Sequence, residues 1–298
     1  MAVAIDIEAP YQPTYGSTSW LAGVGKAARK NPAGALAGVF CLVLVILAIA
    51  GPSLSPYSPN RIDFPLMQAP TLSHPFGTDN LFRDLFSRII FGARNSLGIG
   101  FAAIAVSLAL GVGLGITSGY FSGIWDTLVG GFIDIMFAFP ALVLVIFLIT
   151  IAGKEFVVIS LAIGLILTPY TVRVVRTATI GVRNLQYIEA ATAVGSGHLR
   201  IMVRHVLPNI AAPIIVVASV NIGLAILIEA SVSFLGLGVS SDTNPSWGRM
   251  LQETRNIWQQ AWWTAIFPGA TISVAVLAFN VFGDALRDAL DPRLRGTR

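Results

Sequence analysis

The chain has 298 residues, 55% of them hydrophobic and only 11% charged, with a formal net charge of +4. A soluble domain carries about 25% charged residues, so this composition points to an integral membrane protein. The basic residues are spread over loops and termini without a stripe of interleaved aromatics, which excludes the usual footprint of a nucleic-acid partner.

Residues 1–33 are polar, contain Pro10, Pro13 and Pro32, and end in Lys26, Arg29 and Lys30, the pattern of a disordered tail. Residues 34–51 hold the first predicted span. Its apolar run, as a helix, is about 26 Å long, at the short edge for a bilayer. The basic prelude and Ala48-Ile49-Ala50 would also suit a signal peptide, but the long preceding tail argues against cleavage. Residues 52–96 are polar and stiffened by Pro52, Pro56, Pro59, Pro65, Pro70 and Pro75. Near their end Thr78 or Asp79 is placed to cap a short helix that turns Leu81, Leu85, Phe86 and Ile89 inward.

Residues 97–283 hold five further predicted spans. The run 97–119 is uncharged, with Gly111, Gly115 and Gly119 four apart, a spacing that lets two membrane helices touch backbone to backbone. The third span, 128–151, contains Asp134 and Pro140; the fourth, 156–172, contains Pro169 and runs into Arg173 and Arg176. Residues 184–209 then leave the membrane. Tyr187, Ala190, Ala191 and Val194 fall at i, i+3, i+4, i+7, and Leu199, Met202, Val203 and Val206 repeat that spacing. Gly195 sits where the first helix must stop, Ser196 is placed to cap the second, and Pro208 to close it. Two short amphipathic helices with a bend result. Periodicity alone leaves open that they lie flat on the membrane interface.

The fifth span, 210–228, carries Asn221 and Gly223. Residues 229–260 leave the membrane again, and Trp258, Trp262 and Trp263 mark an interface belt. The sixth span, 261–283, carries Pro268 and Asn280, and residues 284–298 form a polar tail. Six spans put both termini on one side. With the N-terminus inside, the inner segments hold most of the 19 basic residues, which places the 184–209 loop in the cytoplasm.

The chain has no Gly-x-x-x-x-Gly-Lys-Ser/Thr, so it does not hydrolyse ATP by that route. Its single cysteine, Cys41, can form no internal disulfide, and His74, His198 and His205 stand apart from any ligand cluster, so no metal site is expected. No Ser/His/Asp, zinc or paired-carboxylate constellation speaks for an enzyme. Within the spans, Asp134, Asn221, Glu229 and Asn280 are candidates for lining a polar path, because ionisable groups there are costly and default to function. Asp134, Glu229 and also Asp284 lie near predicted ends, so bonding between neighbouring helices is their alternative role.

Four stretches carry a resemblance. Glu189-Ala190-Ala191, three residues, Gly195, then twelve residues to Pro208 resembles the EAA loop of bacterial ABC-importer permeases, with His205 where an aliphatic residue is usual. The segment from His74-Pro75 through Gly77-Thr78-Asp79 to Arg83-Asp84 resembles the HP-x-GTD-x-x-GRD motif of dipeptide, oligopeptide and nickel permeases, with Phe82 in place of the glycine. Glu229-Ala230-Ser231 through Gly238 with Pro245-Ser246-Trp247-Gly248, and Asp291-Pro292-Arg293-Leu294-Arg295, are similar to the same subfamily. Over nearly everything after residue 34 the chain resembles the C-type permease subunit of a bacterial dipeptide, oligopeptide or nickel ABC importer.

That resemblance implies an all-α integral membrane protein with six transmembrane helices and the type I importer permease fold. It implies a multi-pass protein of the bacterial inner membrane with both termini cytoplasmic. The implied partners are a B-type permease, two ABC ATPase subunits and an extracytoplasmic substrate-binding protein. This chain would bind no cofactor; ATP and Mg²⁺ would belong to the ATPase subunits. The 184–209 loop would be the coupling element docked on an ATPase, through Glu189, Ala190, Ala191, Gly195, Leu199, Met202, Val203, Arg204, Leu207 and Pro208. Dipeptides or short oligopeptides are the implied substrate, with nickel or another small solute as the alternative. A secondary transporter, the rival class, would need coupling-ion residues at mid-membrane, and no residue is unambiguously central.

Overall fold

The computed structural model describes residue 29 and residues 31–239 and 245–290. Nearly all of the predicted N-terminal tail and the Asp291–Arg295 stretch lie outside the described residues. Among the described residues the regular elements are helical. They are α1 (Pro32–Leu54), α2 (Leu85–Phe121), α3 (Gly123–Phe137), α4 (Ala141–Ala152), α5 (Phe156–Arg183) and α6 (Gln186–Ala193). Next come α7 (His198–Ile201), a π-helical turn (Met202–Val206), α8 (Leu207–Asn209), α9 (Ala211–Phe234), α10 (Trp247–Thr254) and α11 (Trp263–Leu290). Helices α1, α2, α5, α9 and α11 are long and apolar enough to cross a membrane; α3 with α4 makes a sixth crossing if the pair is one span.

The third span departs from the sequence expectation. It is broken, with α3 and α4 meeting at 89°. Pro140 stands at the break as the N-cap of α4. A proline has no N–H to donate, and it pushes the residue before it, Phe139, out of the helical region.

The expected short helix before the second span also differs: it is the beginning of α2, which runs unbroken for 37 residues. Asp84, rather than Thr78 or Asp79, caps it, its Oδ2 accepting from the Ser87 backbone N–H at 2.8 Å. Thr78 and Asp79 instead fold the loop ahead. Thr78 Oγ1 donates to the Pro65 carbonyl, and Asp79 Oδ1 accepts from the backbone of Leu81 at 2.8 Å and Arg83 at 2.9 Å. Leu85 and Ile89 are buried as expected, but Leu81 is exposed.

The glycine stripe does what its spacing predicts. A Cβ added to Gly111 would lie 2.5 Å from Thr171, one on Gly115 2.7 Å from Val175, and one on Gly119 2.8 Å from the Arg176 carbonyl. Helices α2 and α5 thus pack with their backbones close together. Ser107 and Thr171 hydroxyls are 2.7 Å apart between them, and Asn221 Nδ2 donates to Thr171 Oγ1 at 3.2 Å, tying in α9.

Buried clusters sit at both ends of α2. At its start, Leu85, Ile89 and Leu97 pack with Trp247, Met250 and Trp263. At its finish, Ile116 and Tyr120 pack with Val175, Ile188, Ile201, Val206 and Ile210. The 184–209 loop is therefore built into the bundle rather than lying loose beside it. Of the three tryptophans expected to form a belt, Trp258 and Trp262 are exposed, whereas Trp263 is buried and donates Nε1–H to the Thr78 carbonyl at 3.1 Å.

Candidate docking loop and polar groups

Helix α6 ends in a Schellman motif. The Gly195 N–H reaches the Thr192 carbonyl at 2.9 Å and the Ser196 N–H the Ala191 carbonyl at 3.0 Å. Gly195 has φ +82°, a backbone region that residues with a Cβ enter at a cost. Ser196 belongs to this stop through its backbone and does not cap α7. The N-cap there is Gly197, with no side-chain cap bond.

The second half of the loop also differs from the periodic reading. Leu199, Met202, Val203 and Val206 do not share one face. Met202 and Val206 are buried with Ile201, while Leu199 is 72% and Val203 55% exposed. The Met202–Val206 segment is π-helical, and a turn with i→i+5 bonds holds one more residue than the α spacing allows, so the faces shift. Pro208 does not close the helix but lies in its final turn, in α8, directly after the π-helical turn; the backbone leaves helical geometry at Ile210.

The result is a loop with two apolar faces. Ile188, Ile201, Met202 and Val206 point into the bundle. Tyr187, Ala190, Val194 (86% exposed), Leu199 and Val203 point away from it. Gly195, Gly197, Leu199, Arg200 and Val203 line a shallow depression of about 610 Å³. Nothing lies within 4 Å of where a Cβ on Gly195 or Gly197 would stand. Glu189, Arg204 and Pro208 are exposed, and Ala191 and Leu207 half-buried.

The loop is held by groups that sequence spacing did not single out. Arg183 Nη1, at the end of α5, donates to the Tyr120 carbonyl at 2.9 Å, the Gly119 carbonyl at 3.5 Å and Ser122 Oγ. His198 Nδ1 lies 3.1 Å from Tyr120 Oη. Arg176 holds Asp126 with bonds of 2.5 and 2.6 Å, fixing the start of α3 to α5. These partners are 50 to 78 residues apart in sequence, so no local pattern reveals them.

The polar candidates within the helices do not converge on one site. Asp134, on α3, is exposed and accepts from Arg173 Nη2 at 3.3 Å; the Arg173 guanidinium also lies 4.5 Å from the centre of the Phe137 ring. Asn221 is buried against Thr171. Glu229 is buried, accepts from Ser233 Oγ at 2.8 Å and sits beside Ser96 and Ser246. Asn280 is half-buried on α11 opposite Gly223, where an added Cβ would stand 2.9 Å from Asn280 Oδ1. Asp284 is exposed.

At the other end of α2, Glu253 of α10 accepts from Arg83 at 2.6 Å, Arg88 at 3.0 Å and Arg249 at 3.3 Å. Burial pushes its carboxyl above the usual carboxylate range; the pull of Arg83 and Arg249 in the other direction does not cancel it.

Comparison with known proteins matches residues 111–296 to the family described as binding-protein-dependent transport system inner membrane component. Residues 19–75 match the N-terminal TM domain of oligopeptide transport permease C. The dipeptide transport system permease protein DppC of Alkalihalophilus pseudofirmus is 39% identical over 276 residues, covering 91% of this chain and 89% of that protein. The glutathione transport system permease protein GsiD of Escherichia coli is 38% identical over 270 residues, covering 90% and 89%. Among solved structures, a chain of the inward-facing MetNI methionine ABC transporter aligns with a TM-score of 0.55 at 16% identity, over 70% of this chain and 97% of that one, a likeness of fold.

Proposed function

Because this chain belongs to the family of binding-protein-dependent transport system inner membrane components, we propose that it is the C-type permease subunit of an ATP-driven importer of dipeptides or short oligopeptides. On this reading the 184–209 loop faces the cytoplasm and docks on an ATPase subunit. A B-type permease completes the pathway, a second ATPase serves that partner, and a substrate-binding protein delivers peptide from outside. ATP and Mg²⁺ belong to the ATPase subunits. The relatives named for dipeptide and glutathione transport support peptides over nickel.

The observation that carries the proposal is the outward apolar face of the loop. Val194, Leu199 and Val203 are exposed, the last two lining a shallow depression, although the same loop buries Ile188, Ile201 and Val206 against its own bundle. A helical segment that anchors one face and leaves the other apolar and open fits a partner protein better than solvent. A segment lying in the lipid interface would not need the second, buried face. Movement follows from the partners: ATP favours one arrangement of the ATPase pair, and the docked loops bias the permeases toward the packing that goes with it.

Among the polar candidates, Asp134 with Arg173 is the pair we assign to the pathway, because an exposed ion pair on an apolar helix needs water or a polar partner beside it. Asn280 is a second candidate for it. Asn221 and Glu229, being enclosed, we assign to bonding between helices.

Val203→Arg tests the docking. It should weaken retention of the ATPase subunits on the purified complex by about tenfold or more, the effect of roughly 1.4 kcal/mol, without removing this chain from the membrane. Full retention together with normal peptide uptake would contradict the assignment.

A further inference from the structure

Tyr120 is gripped from both flanks of the loop. Arg183, the last residue of α5, donates to its backbone carbonyl at 2.9 Å, and His198, the first residue of α7, meets its hydroxyl at 3.1 Å. The His198 ring also stands edge-on to both Tyr120 and Phe121, with centroids 5.6 and 5.5 Å away. Tyr120 is itself buried among Val175, Ile188, Ile201 and Val206.

The place of these contacts on α2 matters. The last carbonyls of a helix have no partner within it and take donors from elsewhere. Here one guanidinium nitrogen serves the Gly119 and Tyr120 carbonyls and Ser122 Oγ. Ser122 has φ +57° and Gly123 φ +65°. Ser122 therefore holds a costly backbone conformation at the turn from α2 to α3, and Arg183 bonds that turn in place.

Beyond Tyr120 the helices are closely packed. Gly111, Gly115 and Gly119 bring α2 against α5 so closely that no Cβ fits, and the Asp126–Arg176 pair fixes α3 to the same helix. Tyr120 follows Gly119, the last point of this close packing, so a shift of Tyr120 bears on α2 and α5 together. Helix α2 then extends to Leu85, beside the Arg83–Arg88–Glu253 network at its other end.

We propose that Tyr120 is the joint through which movement of the 184–209 loop enters α2 and α5, with Arg183 and His198 as the positioning residues that hold it. The proposal rests on the reading of that loop as the ATPase dock. It assigns these three residues to transmission, separate from the outward face that makes the dock.

The test uses the assembled importer in proteoliposomes, with its partner permease, ATPase subunits and binding protein, and measures peptide imported per ATP hydrolysed. Tyr120→Phe keeps the ring and the packing and removes only the hydroxyl. It should leave ATPase subunits bound and hydrolysing while import per ATP falls about fivefold, the factor one hydrogen bond of ordinary strength carries in a two-state coupling. Arg183→Ala should lower the ratio further, and Arg183→Lys should recover part of it. An unchanged ratio in both Tyr120→Phe and Arg183→Ala would overturn the proposal. So would loss of the ATPase subunits from either variant, which would make these residues part of the dock itself. Failure of the docking assignment registers separately, as a Val203→Arg complex that keeps its ATPase subunits and its import.

Discussion

Phe82 occupies the left-handed region at φ +59° and is 43% exposed. The motif this segment resembles usually has glycine there, and a residue with a Cβ pays about 1–2 kcal/mol for that conformation. Phe82→Gly should therefore raise stability by about 1 kcal/mol, read as a higher unfolding midpoint of the detergent-solubilised chain. A lower midpoint would mean that ring contacts outweigh the backbone strain. Glu253 presents the opposite case. Its removal leaves the buried Arg83 and Arg88 guanidinium groups with Asp79 as their remaining carboxylate partner, so Glu253→Ala should destabilise by about 1–3 kcal/mol, and Glu253→Gln, which keeps an acceptor, by less. Equal effects of the two substitutions would remove the charge from the explanation. Residues differ in how legible they are for a simple reason. Gly195 and Phe82 report backbone conformations set by their immediate neighbours, so spacing or motif exposes them. Glu253 lies 165 residues from Arg88, and Tyr120 lies 78 from His198, so neither pairing leaves a local trace.

At the scale of elements, the stripe Gly111, Gly115 and Gly119 was readable because close approach of two helices demands small residues one turn apart. Gly115→Val should cost about 1–3 kcal/mol by forcing α2 from Val175. Gly113→Val is the control, since nothing lies within 4 Å of its added Cβ. If both substitutions lower the unfolding midpoint equally, the glycine contact is not what holds the pair together. The break at Pro140 and the continuous α2 were less legible. Hydropathy reports apolar length but not whether a proline bends a span by 89° or whether a helix runs on past its apolar run. The faces of the second half of the 184–209 loop differ from the periodic expectation for a related reason. An i, i+3, i+4 rule assumes α geometry, and the π turn at Met202–Val206 inserts a residue that sends Leu199 and Val203 outward and Met202 and Val206 inward.

At the scale of the whole molecule, the helical class follows from the long uncharged runs, because a backbone crossing a bilayer there must satisfy its own hydrogen bonds. The surface those segments present is another matter. Leu128, Val143, Ile151 and Leu277 are exposed on the single chain, an apolar surface that suits lipid or another membrane helix. On the proposed reading the chain works only together with its partners. Reconstituted alone, it should move no peptide with or without ATP; with its partner permease, ATPase subunits and binding protein it should import peptide when ATP is supplied. Solute movement by the chain alone would favour a secondary transporter.

On the proposed reading the outward face of the 184–209 loop meets an ATPase subunit. Cys41, the only cysteine in the chain, is buried, so Val203→Cys would install a single exposed thiol on that face. Cross-linking from this thiol in the assembled complex should trap an ATPase subunit as the main product. A main product with the substrate-binding protein, or a thiol labelled from outside intact cells, would contradict the account.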